Sequence, residues 1–132
     1  MRNRSGTIIL QDGKVAVIKR TRSGKVYYVF PGGGIEDNET PEEAAIRETQ
    51  EELGVTVEID RLLHTFPYNG FQYYFLATMK SGEFGTGKGE EYLNPSLEKG
   101  TYEPMWIPIS DFSNYDLRPK ELVKILLENC PS

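Results

Sequence analysis

The chain has one cysteine, one histidine and one tryptophan in 132 residues. A single cysteine excludes an internal disulfide framework, and Cys130, two residues from the end of the sequence, reads as a tail thiol rather than a nucleophile. The lone His64 sits in a strand-like pattern and reads as a packed or edge position, and no zinc-ligand spacing surrounds it. Long apolar runs are missing too. The basic opening MRNRSGTIILQDGKVAVIK breaks its apolar residues into runs too short for a signal-peptide core or a transmembrane helix, so a cytoplasmic setting away from membrane is expected. A net charge of −5 argues against nucleic acid or an anionic membrane as the main partner. It leaves anionic small molecules open, because a bound divalent cation reverses the local sign.

What is present suits a globular protein. Hydrophobic residues make up 38% of the chain and there are eight tyrosines. The length and the lack of repeats or linker-like tracts fit one domain over residues 1–132. Residues 6–10 and 14–19 read as strands about a turn at Asp12-Gly13, and the turn in TRSGK leads to a third strand at 26–30. Pro31 and three glycines then demand a tight, unusual backbone. Thr40 as N-cap, Pro41 in the first turn and Glu43 completing a capping box begin a helix that Gly54 stops. VTVEI starts another strand, and segments 61–68 and 71–79 flank the hairpin signal Asn69-Gly70. A glycine-rich loop over 81–100 reads as a binding loop or lid. EPMWIPI reads as a strand and DLRPKELVKILLEN as a closing amphipathic helix. Strands outnumber helices, which points to an α+β, mixed-sheet layered domain.

The stretch GGIEDNETPEEAAIRETQEELGV, residues 33–55, holds eight acids against a single base, Arg47. On a helical wheel Ala45, Ile46, Thr49 and Leu53 form the buried stripe. Glu48 and Glu52 lie one turn apart on its shoulder, and Glu51 lies nearly opposite. Carboxylates at this spacing repel one another and oppose the dipole near the helix C-terminus. A hard divalent cation, Mg²⁺ or Mn²⁺, would reward the crowding with two carboxylates gripping one ion. A solvated acidic face explains the same pattern, and periodicity alone leaves the two readings level. Gly32, Gly33 and Gly34 tilt the balance, since bare backbone can approach an ion or a phosphate closely.

The same residues follow G-x5-E-x7-R-E-U-x-E-E-x-G-U, with U a bulky aliphatic: Gly33, Glu39, Arg47-Glu48, Glu51-Glu52, Gly54 and Val55. The one departure is Thr49, smaller and more polar than the usual aliphatic. This resembles the box of the Nudix (MutT-like) hydrolases, and the strands before FPGGG, the later hairpin and the closing helix agree with it. The resemblance implies an α/β/α sandwich around a mixed β-sheet. It implies an enzyme that uses Mg²⁺ or Mn²⁺ to cleave a phosphoanhydride bond in a nucleoside diphosphate linked to another group. Carried over by position, Glu48, Glu51 and Glu52 would hold metal, with the Gly32 carbonyl as a further ligand. Glu48 and Glu52 are the catalytic candidates, Glu48 as the group that orients or deprotonates water. Arg47 would orient the carboxylates through a salt bridge, best with Glu51, while Glu39 braces the glycine loop against the helix. Gly33 and Gly54 support the site. Some members recruit a later glutamate, for which Glu90, Glu91, Glu98 and Glu103 are all candidates.

Outside the box, Gly70 and Phe71 stand where a proline would suggest ADP-ribose. Tyr73 stands where a tyrosine suggests dinucleoside polyphosphates, though sheet packing explains it as well. GEFGTGKG at 82–89 falls short of a phosphate-binding P-loop, because Gly89 replaces Ser or Thr; it reads as part of the lid, with Lys88 facing substrate phosphate. The expected substrate is a nucleoside triphosphate or a dinucleoside polyphosphate. The rival reading is a non-catalytic module of the same family that binds nucleotide as a sensor, and the intact Arg47-Glu48 and Glu51-Glu52 speak against it.

Overall fold

The computed structural model describes residues 3–67, 70–87 and 100–129. Strands β1 (Arg4–Gln11) and β2 (Lys14–Arg22) are joined by Asp12 and Gly13, both at positive φ. Ser23 and Gly24 repeat that device before β3 (Lys25–Val29). Two consecutive positive φ values match the twist of the flanking strands, so both turns lock a hairpin register. After β4 (Gly32–Gly34) and helix α1 (Pro41–Leu53) come the long strands β5 (Val55–Pro67) and β6 (Phe71–Gly82). The chain closes with β7 (Thr101–Pro108), a 3₁₀ turn (Ile109–Asn114), the short β8 (Leu117–Arg118) and helix α2 (Lys120–Asn129).

The strand order is β5-β6-β1-β2-β3-β8, with β4 beside β1 and β7 beside β2. The sheet is mixed: β1 runs parallel to β6, and β3 parallel to β8, while the other pairs are antiparallel. The feature that makes a site is the β1–β2 junction. These strands share only Leu10–Val15 and Gln11–Lys14. Beyond them β1 takes β4 as its partner (Arg4–Gly34, Ser5–Gly33, Gly6–Gly32), and β2 continues with β3 and β7. Two half-sheets therefore part from a common corner and leave a cleft between them.

Both faces are covered, which is why TIIL and VAVI are continuous apolar runs instead of alternating ones. Ile8, Val15, Val17 and Ile107 pack with Leu117, Leu122 and Leu126 on the α2 side. Ile9, Ala16, Ile18, Val55 and Ala77 pack with Leu53 on the α1 side. Truncating fully buried Leu122 or Leu126 to alanine would cost about 2–5 kcal/mol. The α+β reading and the layered mixed sheet are what the structure shows.

Helix α1 has the ends expected of it. Thr40 Oγ1 accepts the Glu43 N–H at 3.1 Å, Glu43 Oε1 accepts the Thr40 N–H at 2.9 Å, and Gly54 caps the helix at φ 79°. Thr49 is fully buried: its hydroxyl donates to the Ala45 carbonyl at 2.7 Å and meets Thr7 Oγ1 at 2.8 Å. The departure from an aliphatic residue is thus matched by a polar partner on β1.

Four readings need correction. The glycine run is not a tight, unusual backbone: Gly32–Gly34 is an extended strand, and none of the three has positive φ. VTVEI and the segment from 61 are one continuous strand, β5, whose register shifts relative to β6 at three places. Strand β6 extends to Gly82, shortening the loop, most of which lies with Tyr68 and Asn69 outside the described residues. The closing helix starts only at Lys120, because Pro119 disfavours helical backbone at Arg118 and leaves Leu117–Arg118 to pair with Tyr28–Val29.

Candidate active site

The cleft encloses about 910 Å³. Its floor is Gly32 and Gly33 of β4 with Glu48 and Glu52 of α1. One wall comes from the β1–β6–β5 half-sheet and the other from β2, β3, β7 and the β8–α2 corner.

Floor and helix are fitted through the absence of a side chain. A Cβ on Gly33 would collide with the Glu48 carboxylate. Gly32 donates its N–H to Glu52 Oε1 at 2.7 Å. Glu52 is 8% exposed, a depth that an acid reaches only with partners. Arg47 binds the rest together. Its Nε reaches Glu39 Oε2 at 2.7 Å and its Nη2 reaches Glu39 Oε1 at 3.0 Å and the Gly34 carbonyl at 3.1 Å. Its Nη1 donates to Glu48 Oε1 at 2.9 Å and to Glu51 Oε1 at 3.2 Å. These carboxylates, Glu39 foremost, hold the guanidinium charged well above its ordinary range. Glu39 also accepts the Glu36 N–H at 3.0 Å, tying the loop to the helix.

The structure therefore brings Glu48 and Glu52 to the cleft beside Gly32 and leaves Glu51 outside the lining, half exposed and turned to Arg47. Among the described residues no group of three or more His, Cys, Asp or Glu is gathered for a metal. Two carboxylates one turn apart with a glycine backbone beside them still form an all-oxygen donor set, which suits Mg²⁺ or Mn²⁺. Gly54 lies at the far end of α1 as its cap. Glu103 sits on β7 opposite Lys19, away from the cleft lining, while Lys88, Glu90, Glu91, Glu98 and Cys130 lie outside the described residues. His64 pairs with Glu121 at 2.9 Å and stacks on Phe66; neither it nor Tyr73 lines the cleft. Residues 83–87 have no P-loop geometry: Phe84 packs against Trp106 with the rings tilted, and the Gly85 N–H donates to Leu53 O.

The walls hold residues that sequence reasoning passed over. Phe66, Gln72 and Arg4 are cross-strand neighbours in register on β5, β6 and β1, and Tyr74 follows on the same face of β6. Phe66 stacks on Tyr74, with ring planes 5° apart. Burial, with Glu52 adding to it and Arg4 opposing it, pushes the Tyr74 phenol up to about 12, so it is neutral at physiological pH. On the facing wall stand Arg20, Val29, Tyr102, Arg118, Pro119 and Lys120. The period-two spacing of Gln72 and Tyr74 was a usable signal for the first wall. Nothing local marked the second.

A NUDIX domain model matches residues 1–126. The chain belongs to the Nudix family. It is similar to an 8-oxo-dGTP diphosphatase of Proteus vulgaris, 43% identical over 92 residues that cover 64% of this chain and 82% of that one. It is also similar to an RNA pyrophosphohydrolase of Psychromonas ingrahamii, 41% identical over 58 residues covering 44% and 32%. The second match spans only about a third of its relative's length. Among solved structures, a NUDIX hydrolase of Nitrosomonas europaea superposes with a TM-score of 0.75 at 18% identity, covering 97% of this chain and 87% of its own. A MutT structure from work on Aliivibrio salmonicida and Vibrio cholerae gives 0.71 at 22% identity, covering 97% and 98%. These two establish the fold. Family and relatives make the chain a MutT-like Nudix pyrophosphohydrolase. No helix among the described residues is long and apolar enough to cross a membrane.

Proposed function

We propose that this Nudix protein uses a divalent cation, Mg²⁺ or Mn²⁺, to cleave a phosphoanhydride bond in a nucleoside triphosphate or a dinucleoside polyphosphate. The observation that carries the reading is the convergence of Glu48 and Glu52 on the cleft beside Gly32 and Gly33. Glu48, Glu52 and the Gly32 carbonyl would hold the cation, and Glu51 would join them on leaving Arg47. The cation they hold would supply positive charge to neutralise the diphosphate oxygens.

The chain's own residues supply the rest. Glu48, fixed between Gly33 and Arg47, would orient water and take its proton as the water oxygen bonds to phosphorus and the anhydride phosphorus–oxygen bond breaks. Arg47 does not line the cleft and acts by holding Glu48 and Glu39. Similarity to an 8-oxo-dGTP diphosphatase supports a nucleotide substrate.

The test is a panel of nucleoside triphosphates, dinucleoside polyphosphates and nucleoside diphosphate sugars at sub-millimolar concentration with Mg²⁺ or Mn²⁺. Cation-dependent product release is expected from the first two classes. Binding without turnover across the whole panel would instead support the sensor reading.

A further inference from the structure

Gly6 is required for space, not for backbone conformation. It lies inside β1 and its φ is not positive. In register it faces Tyr74 of β6 on one side and Gly32 of β4 on the other, so the three form one cross-strand row. A Cβ on Gly6 would collide with the Pro31 carbonyl and come within 2.8 Å of Tyr74 Cε1, nearer than the 3.2 Å to Cδ1. The hydroxyl half of the Tyr74 ring therefore rests over bare backbone, next to the end of the cleft floor where the Gly32 N–H holds Glu52.

Other groups hold the same ring. Phe66 lies parallel to it with the centres 6.1 Å apart, and Phe30 meets it edge-on at 6.5 Å. Tyr74 is 8% exposed and borders the cleft. The charges that act on its phenol, Arg4 and Glu52, are both cleft residues, so the hydroxyl end is the cleft end. Among the described residues that hydroxyl makes no hydrogen bond. A tyrosine this deep ordinarily pairs its O–H. Phenylalanine would fill the same aromatic packing without burying a polar group, so packing gives no reason for the oxygen. A bound ligand gives one.

We propose that Tyr74 is a substrate-contacting residue whose hydroxyl donates a hydrogen bond to a phosphate oxygen of the nucleotide. The proposal rests on the reading of the cleft as the hydrolytic site. In that reading the diphosphate lies over the floor, and the Tyr74 hydroxyl is a neutral donor at the Gly32 end of it. A phenolic O–H on an anionic oxygen makes a charge-assisted bond, stronger than one to a neutral sugar hydroxyl. Phe66, Phe30 and Gly6 fix the ring before substrate arrives, so little rotamer freedom is lost on binding.

The test is Tyr74→Phe, which removes the hydroxyl and keeps the ring. The variant is expected to fold with a thermal midpoint at or slightly above the wild-type value at neutral pH, because no protein partner is lost. Its kcat/KM for a nucleoside triphosphate in Mg²⁺ is expected to fall about tenfold or more, the loss of a hydrogen bond to a charged group. A hydroxyl with a purely structural role would give the opposite split, a lower midpoint with kcat/KM kept. A midpoint lowered by several degrees, or a kcat/KM within about threefold of wild type, overturns the proposal.

Calorimetry with a nucleoside monophosphate and the matching nucleoside, in Mg²⁺, gives a readout independent of turnover. Monophosphate binding weakened about tenfold in Tyr74→Phe, with nucleoside binding unchanged, sustains the proposal. Equal weakening of both ligands would put the hydroxyl on the nucleoside, and no weakening of either would leave it without a ligand; each overturns the proposal. If the wild type hydrolyses no nucleotide, the hydrolase reading fails and these titrations alone decide the role of the hydroxyl.

Discussion

Arg47 and Glu39, eight residues apart, meet in a two-pronged pair, Nε to Oε2 at 2.7 Å and Nη2 to Oε1 at 3.0 Å. The remaining nitrogen is thereby aimed at Glu48. A guanidinium can serve a carboxylate, a backbone carbonyl and a second carboxylate at once, whereas an ammonium is a single point. Arg47→Lys should lower kcat about 100-fold with a much smaller change in KM, because Glu48 is displaced and no substrate contact is lost. Steady-state kinetics checks this, and an equal change in both constants would place Arg47 on the substrate instead.

Glu52 is nearly buried, and its Oε1 takes the Gly32 N–H. Glutamine keeps a carbonyl oxygen for that bond and discards the charge. Glu52→Gln should fold as the wild type does, with a thermal midpoint within a few degrees, and should lose turnover by about 1,000-fold or more. Mn²⁺ titration followed by electron paramagnetic resonance should show weaker binding. Turnover kept near the wild-type level would remove Glu52 from the metal set.

Local signals made much of this legible and non-local ones did not. The caps of α1 are written in Thr40, Pro41, Glu43 and Gly54, so the helix could be read to the residue. The glycines announced a close approach, but the form of that approach depends on β1 leaving β2 for β4, a partner choice no local pattern encodes. The wheel sets Glu48 on the shoulder of the buried stripe and Glu51 nearly opposite it, but only the position of the β4 backbone makes that shoulder a cleft floor while Glu51 turns to Arg47 and solvent. Arg118 was hidden because KELVKILLEN carries its helical period backwards across Pro119, masking a two-residue strand that seats a cation on the cleft wall.

The Thr7–Thr49 hydroxyl pair is enclosed on both sides. Since Thr49 donates to Ala45 O, Thr7 is the donor between the hydroxyls. Thr49→Val should cost about 1–3 kcal/mol by leaving the Thr7 hydroxyl buried without its acceptor. Adding Thr7→Val should cost less than its single-variant value, since both hydroxyls are then gone. Urea denaturation of the four proteins checks the cycle, and strict additivity would show that the two hydroxyls are not coupled.

Tyr74 connects stability to alkaline pH. Its phenol, ordinarily near 10, is pushed up to about 12 in the fold, first by burial and then by Glu52. A group whose folded pKa is raised stabilises the native state fully below its unfolded pKa, and that contribution fades as pH climbs through the folded value. The window is therefore pH 10 to 12, and two units correspond to about 2–3 kcal/mol across it. Tyr74→Phe has no proton to lose. Relative to its value at about pH 9, its stability should fall less by about pH 11.5 than that of the wild type, as read from urea midpoints. Parallel declines in the two proteins would mean that the Tyr74 hydroxyl reaches solvent and titrates as an ordinary phenol.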